Sequence, residues 1–424
     1  MFEWPPFFRV RQKFDSTRLD DVVATTHEEL KRIALAERVR PGESVAITAG
    51  SRGIRNIDLV IRAIVDHFKE LGAKPFVVPA MGSHGGGTAE GQKAVLARLG
   101  ITEESCGCDI RASMDTVVVS KAAEGFDVHF DQHAFNADHV FVAGRIKPHT
   151  RFAGAIESGL MKMMLIGLGK HAGAKIYHRA IVNYSFDQIV RSVAKEVLER
   201  CGVCGGLAIL ENSFDETAWI EAVPPEQFES REPELLVKAK SWLARLPFER
   251  ADILLLDRIG KEISGAGMDT NVVGRKWSDH EAQADEWPKL KRICVRGLSE
   301  GTHGNAVGIG IAEFCLTRVI DAMDVKATRI NSLTGSHPTA GMLPFDYASD
   351  QEMLSAAVQT VGLVEDADLK IMWAQDTLHL TEIECSQAYW EDAQQRDDLE
   401  ILGEPRPLAC DEQGLLPSIK NLKP

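Results

Sequence analysis

The chain has 424 residues, 44% of them hydrophobic and 26% charged, with 35 Gly and 17 Pro, which excludes disorder and collagen and at this length calls for two folded domains. Lys and Arg total 48 against 62 Asp and Glu, and a formal charge of -14 repels phosphate backbones and anionic lipid, so nucleic acid is not expected as a partner. Met1-Phe-Glu-Trp-Pro-Pro-Phe-Phe lacks the pattern of a signal peptide, no apolar run reaches the roughly 20 residues of a membrane span, and eight cysteines lie thinly spread, so a cytoplasmic chain with reduced thiols and no membrane contact is expected.

Leu19 to Arg38 has helical spacing, Pro41-Gly42 breaks it, and Ser44 to Thr48 reads as a buried strand. Ile57 to Leu71 is helical up to Gly72, and Pro75 to Pro79 is a second strand. This β-α-β alternation predicts a largely parallel sheet covered on both faces. A helix from about Thr88 to Leu99 follows, then strands at Thr116–Ser120 and His139–Ala143, a helix from Phe186 to Arg200 and a strand at Gly206–Leu210. A helical stretch around Glu234 to Leu246 suits a link between domains. Beyond it, Ala251–Leu256 opens a second alternating region, with helices near Gly310–Met323 and Asp350–Val361 and a strand at Leu369–Trp373. The fold class is therefore α/β, two α/β domains with largely parallel sheets and the active site in the inter-domain cleft. The boundaries expected are 1–245, 250–400 and a tail, 401–424, packing back on the N-terminal domain.

In open parallel sheets ligands bind beyond the carboxyl ends of the strands. Three Gly-bearing loops follow strands here: Ala49-Gly-Ser-Arg-Gly53, Met81-Gly-Ser-His-Gly-Gly-Gly87 and Gly144-Arg-Ile-Lys-Pro-His149. Together they bring backbone N–H groups, two Arg, a Lys and two His to one sheet edge. Further on, Lys162 sits among Leu160, Met161, Met163, Met164, Leu165 and Ile166, where an ammonium is costly unless paired, deprotonated or modified.

The ordered set Arg52, Gly82-Ser-His84, Pro148-His149 with Phe152-Ala-Gly154, Lys162 and His178 resembles the nickel-dependent lactate racemase family and its wider group of 2-hydroxyacid racemases and epimerases. The resemblance runs from about Val45 to His178. It implies that Lys162 covalently tethers a nickel-pincer nucleotide derived from nicotinic acid, with cofactor-biosynthesis enzymes as partners. It further implies that His178 is the protein ligand to the nickel, that the loop glycines Gly85 and Gly86 flank the cofactor, that His84 and His149 are the acid/base pair, and that Arg52 holds the substrate carboxylate. The chemistry is coherent: the C2 hydrogen of a hydroxy acid is too weakly acidic for a side-chain base, whereas its hydroxyl can lose a proton while C2 passes hydride to an electron-poor pyridinium carbon. Two imidazoles suit a base for either enantiomer.

Ala49 stands where the family has an Asp, and Ser158-Gly-Leu-Met-Lys162 replaces a Gly-Gly-Arg-Lys run. Lys170 is thus a rival tether and His171 a rival ligand, although one three-residue insertion before the lysine restores Lys162 and His178 together. In the C-terminal half Lys261 is the candidate substrate contact, and His303 stands out in its Gly-flanked segment. Cys201-Gly-Val-Cys204 with Cys106-Gly-Cys108 has the makings of a metal site but lacks a second C-x-x-C, and Gly308-Ile-Gly310 is no full dinucleotide fingerprint. The expected function is a racemase or epimerase of a small 2-hydroxy acid, compatible with a homo-oligomer. The alternatives are a metal-dependent hydrolase or lyase built on His84, His149 and His178, and a non-catalytic nucleotide- or metal-binding homologue.

Overall fold

The structure is a computed structural model and describes residues 4–276 and 279–422. It divides into two compact units, one spanning Asp15–Leu243 and the other comprising the described residues up to Phe14 together with those from Ala244 onward. The first strand, β1 (Phe7–Gln12), accordingly belongs to the C-terminal unit.

The N-terminal unit is built on β2 (Ser44–Ala49), β3 (Lys74–Pro79), the hairpin β4 (Thr116–Lys121) and β5 (Asp127–Asp131), then β6 (His139–Arg145), β7 (Val203–Glu211) and β8 (Thr217–Val223). The main sheet has the order β3-β2-β6-β7-β8, parallel except for the β7-β8 pair. Side chains alternate along β2. Val45 and Ile47 pack with Leu30 of the Val22–Arg32 helix and Ile61, Ile64 and Phe68 of the Ile57–Glu70 helix, while Ala46 lies in the core formed with Val190 and Val193 of the Phe186–Arg200 helix. A strand buried on both faces cannot alternate polar and apolar residues, which is why these strands read as continuous apolar runs. Each fully buried Val or Ile contributes about 1.5–3 kcal/mol relative to exposure, so the sheet rather than its loops holds the site's frame. The Thr116–Ser120 strand exists, but in the separate β4-β5 hairpin.

The C-terminal unit continues with β9 (Arg250–Leu256), β10 (Lys289–Val295), β11 (Phe314–Leu316), β12 (Phe345–Tyr347), β13 (Ile371–Ala374), β14 (Glu382–Ser386) and β15 (Leu399–Ile401), in the order β12-β11-β10-β9-β13-β14-β1-β15. The first five of these neighbours are parallel, and β1 pairs antiparallel with both β14 and β15. The helix expected near Gly310–Met323 is instead a 3₁₀ turn at Ile309–Ile311, the strand β11 and a short helix at Thr317–Asp321, because Gly310 sits against the Thr339 carbonyl with no room for a side chain.

The two units part between Leu243 and Ala244, and the described residues from 401 onward fall within the C-terminal unit, where Leu408, Leu416 and Ile419 share an apolar cluster with Ile253 and Trp373. Buried Arg296 fixes the tail by donating to the Pro417 carbonyl at 3.1 Å while it is paired with Asp350 at 2.8 Å. The Leu416 amide closes the arrangement on Asp350 at 2.8 Å.

Candidate active site

Strand order reverses at β2, which has β3 on one side and β6 on the other, and the chain leaves all three strands toward the same edge. The three Gly-bearing loops are therefore neighbours at a topological switch point, the place where open α/β sheets bind ligands. Arg52 leaves β2, His84 follows β3, and Arg145 and His149 follow β6. Arg145 donates to the Gly53 carbonyl at 3.1 Å and is ion-paired with Glu211, whose other oxygen accepts the Arg55 amide at 2.8 Å. That staple holds the Arg52 loop against the end of β6.

The His84 loop is a run of left-handed backbone, with φ 67° at Gly85, 69° at Gly86 and 66° at Gly87. A Cβ at Gly85 would stand 2.6 Å from the backbone of Gly91, so the turn admits only glycine there. His84 itself is exposed, and its Nδ1 is hydrogen-bonded to the Ser51 hydroxyl of the adjacent loop. Buried Gln92 supports the turn from beneath, its amide donating to the Gly82 carbonyl at 2.9 Å.

The aromatic ring of Phe152 joins three of the expected site residues. His149 stacks on it with ring centroids 4.1 Å apart, Lys162 Nζ lies 5.5 Å from its centroid, and the His178 ring lies 6.2 Å away. Phe186 backs the stack at 4.1 Å. The His149 Nδ1 accepts the backbone amides of Arg151 at 3.0 Å and Phe152 at 3.1 Å, which places the proton of the neutral ring on Nε2. Buried Glu157 accepts the His149 amide at 2.8 Å and pairs with Lys240 at 2.7 Å. The glycine of the Phe152-Ala-Gly154 motif has φ 153°, and a Cβ there would come 2.9 Å from Asp187.

Lys162 ends a short helical turn, Leu160–Lys162, that continues as a π-turn over Met163–Gly167. The ammonium is pushed down to about 7, first by desolvation and then by Arg52 and Arg145, against a partial counterweight from Glu157. Arg52 is still reached by solvent, yet crowding and Arg145 hold its pKa below the ordinary range. His178 is shifted down by burial, by Lys162 and by Arg151, so its imidazole is neutral at pH 7. The result is a cationic niche in an acidic protein, where a lysine amine shifted toward neutrality shares one phenylalanine ring with two imidazoles.

Lys170 does not share this niche. It is fully buried, has φ 53°, and its ammonium is paired with Asp131 at 3.0 Å and donates to the Pro79 carbonyl at 2.5 Å and to Gln92 at 3.2 Å. A lysine enclosed in this way is held as part of the fold's internal packing. His171 lies against Gly87, 3.9 Å from where a Cβ would stand. In the C-terminal unit Lys261 donates to the Gly265 carbonyl at 2.9 Å within its own turn, and His303 ends a 3₁₀ turn with φ 49°. The cysteine pairs form no cluster with metal-ligand separations among the described residues, and neither do His84, His149 and His178. Phe152 of the Phe-Ala-Gly run, Ser51 and Arg145 of the named loops, and Glu157 complete the site without having been given individual roles from sequence. Of these, only Glu157 had no signal.

The model of the lactate racemase N-terminal domain matches residues 15–188, which contain every one of these niche residues except Glu211 and Lys240. Residues 15–188 are therefore similar to the lactate racemase N-terminal domain. The lactate racemase apoprotein of Thermoanaerobacterium thermosaccharolyticum has a similar fold, with a TM-score of 0.51 and 14% identity over 88% of this chain and 93% of that one. A structural-genomics protein from Thermotoga maritima gives a TM-score of 0.49 and 12% identity over 85% and 97%. No curated protein matches in sequence. No helix among the described residues is long and apolar enough to cross a membrane.

Proposed function

We propose that the chain is an isomerase, a racemase or epimerase of a small 2-hydroxy acid, that works with a nickel-pincer nucleotide held covalently by Lys162. The observation that carries this reading is the Lys162 amine, brought to about 7 at the Phe152 ring it shares with His149 and His178. The residues fit the group. A tethering lysine must be unprotonated to attack an acyl carbon, and this one is half so at neutral pH. A nickel ligand must be a neutral imidazole, and His178 is one. The open turn at Gly85 and Gly86 leaves backbone N–H groups for a phosphate.

When bound, the nucleotide would supply an electron-poor carbon able to accept and return hydride. The chain's own residues supply the rest. Arg52 holds the substrate carboxylate in the niche it shares with Arg145. Ser51 can accept from His84 Nδ1–H, which leaves Nε2 free as the base; once Nε2 has taken the hydroxyl proton the ring is an imidazolium and Ser51 still accepts from Nδ1–H until the proton is given back. The two amides on His149 Nδ1 preset that ring as a donor at Nε2, toward the oxygen that becomes a carbonyl. For the opposite enantiomer the roles exchange, which requires His149 to release those amides. Supply by cofactor-biosynthesis enzymes belongs to the same proposal. Eight unpaired cysteines are consistent with its operating in the cytoplasm.

The test is intact-mass measurement of protein made with the cofactor-assembly enzymes, followed by a racemisation assay. Lys162→Ala is expected to abolish both the mass increment and turnover, while His84→Ala and His149→Ala keep the increment and lose about 10²- to 10⁴-fold in rate. An increment that survives Lys162→Ala refutes the tether, and normal racemisation by both histidine variants refutes the acid/base pair.

A further inference from the structure

A second group of chemically apt side chains lies away from this site. His27 on the Val22–Arg32 helix, and His67 and Glu70 on the Ile57–Glu70 helix, each offer one ligand atom, and these atoms all lie within 4.8 Å of one another. His67 and Glu70 are three residues apart, hence on one helix face, and His27 meets them from the helix packed alongside. The two imidazole centroids are 6.5 Å apart.

An independent observation concerns His67 alone. The residue is only 4% exposed, and neither its Nδ1 nor its Nε2 has a hydrogen-bond partner. Two orphaned ring nitrogens on one buried side chain are expensive, and such a group in a folded protein calls for an occupant. Burial, then His27 and Lys31, depress the His67 pKa against the opposing pull of Glu70, so the ring is neutral and has a lone pair to give. Of the groups acting on it, His27 and Glu70 are the proposed co-ligands, and Lys31, the smallest influence, is a long side chain whose ammonium can turn to solvent.

We infer that His27, His67 and Glu70 form a binding site for a divalent transition-metal ion of the zinc type, with water completing the coordination. Two imidazoles and a carboxylate are a regular donor set for zinc. The ion would clip the first two helices of the unit together. His67 lies near the end of a helix that starts beside the Arg52 loop, about 15 Å along its axis from that start, so the site stands toward the opposite edge of the sheet.

The experiment uses full-length protein stripped with a chelator and equilibrated with Zn²⁺ alone, with bound metal counted after dialysis and the melting temperature recorded with and without Zn²⁺. His27 and Glu70 are not fully buried, so His27→Gln and Glu70→Gln are expected to fold as the wild type does in the absence of metal. Because the niche histidines also attract zinc, His178→Ala is measured in parallel. The inference requires that His27→Gln bind one equivalent less than the wild type, that Glu70→Gln bind the same ion more weakly, and that the Zn²⁺-induced rise of roughly a few degrees disappear in His27→Gln but persist in His178→Ala. Equal zinc content in wild type and His27→Gln overturns it, as does loss of the whole Zn²⁺ effect in His178→Ala.

Discussion

Lys162 and Lys170 lie in the same stretch of chain, both are desolvated, and both are shifted toward the neutral amine, yet their surroundings are opposite. Lys170 has a carboxylate paired at 3.0 Å and donates to a carbonyl and an amide oxygen, so its charge and two of its donors are met inside the fold. Lys162 has Arg52 and Arg145 as electrostatic neighbours, an aromatic face, and Glu157 as the one carboxylate opposing them. Burial alone does not mark a reactive amine; the acceptors supplied with it do. The Asp131–Lys170–Gln92 chain ends on the Gly82 carbonyl, so the paired lysine holds up the turn that presents His84.

The sharpest way to break the contrast is Lys170→Met, which leaves Asp131 buried without its cation. Loss of one partner of a buried pair costs about 3–5 kcal/mol, and adding Asp131→Leu should recover part of it. Urea unfolding measures both. A Lys170→Met protein as stable as the wild type would mean that the chain of contacts does not carry the turn.

The same substitution at Lys162 should act with the opposite sign. Its folded pKa is about 7, below the unfolded value near 10.4, so between those pH values the unfolded chain binds more protons and stability rises with pH. Lys162→Met removes that term. It should stabilise by on the order of 1–3 kcal/mol at pH 7 and below, with the gain fading toward pH 10. A gain independent of pH contradicts the assignment.

Glu232 extends the comparison to a carboxyl. It is buried at the start of the Lys162 turn, accepts the Met161 amide at 3.0 Å, and is pushed up to about 7 by desolvation. Its folded pKa exceeds the unfolded value near 4.3, so its contribution is complete below that value and declines as pH rises toward 7. Glu232→Gln keeps an acceptor for Met161 and should stabilise by about 1–2 kcal/mol above pH 7, with no gain at pH 4, as read from melts across that range. The gentlest test needs no substitution. A small amine-acylating reagent at limiting dose should label Lys162 with a pH midpoint near 7 and leave Lys170 unlabelled, whereas a Lys162 midpoint near 10 would place it among ordinary lysines.

What the sequence made legible divides along physical lines. β2, β3, β6, β7 and β9 were readable because parallel strands covered on both sides are apolar runs, and the loops after three of them carried the site. β1 was not, because Arg9 and Gln12 interrupt it. They are tolerated only because Glu384 pairs with Arg9 at 2.7 Å and the Leu380 carbonyl accepts from Gln12 at 2.7 Å, partners at the far end of the chain. The enclosure of Lys170 was not legible either, because the Asp131 that pairs with it comes from the β4-β5 hairpin, some forty residues earlier. His149, Lys162 and His178 were separate letters, and nothing in their spacing announced that one phenylalanine ring would hold all three.

The place of β1 sets an order of events during synthesis. Phe7–Gln12 leaves the ribosome before everything it pairs with, and its neighbours β14 and β15 are among the last strands to be made. Residues 15–243 can close into their own unit while this strand waits, its Phe7, Phe8 and Val10 still uncovered and open to chaperones or to another nascent chain. Deleting Phe7–Gln12 is therefore expected to injure the module made last and spare the one made next. A protease cut or a bulky fusion just ahead of Phe7 would register as a fault in the distant half of the polypeptide.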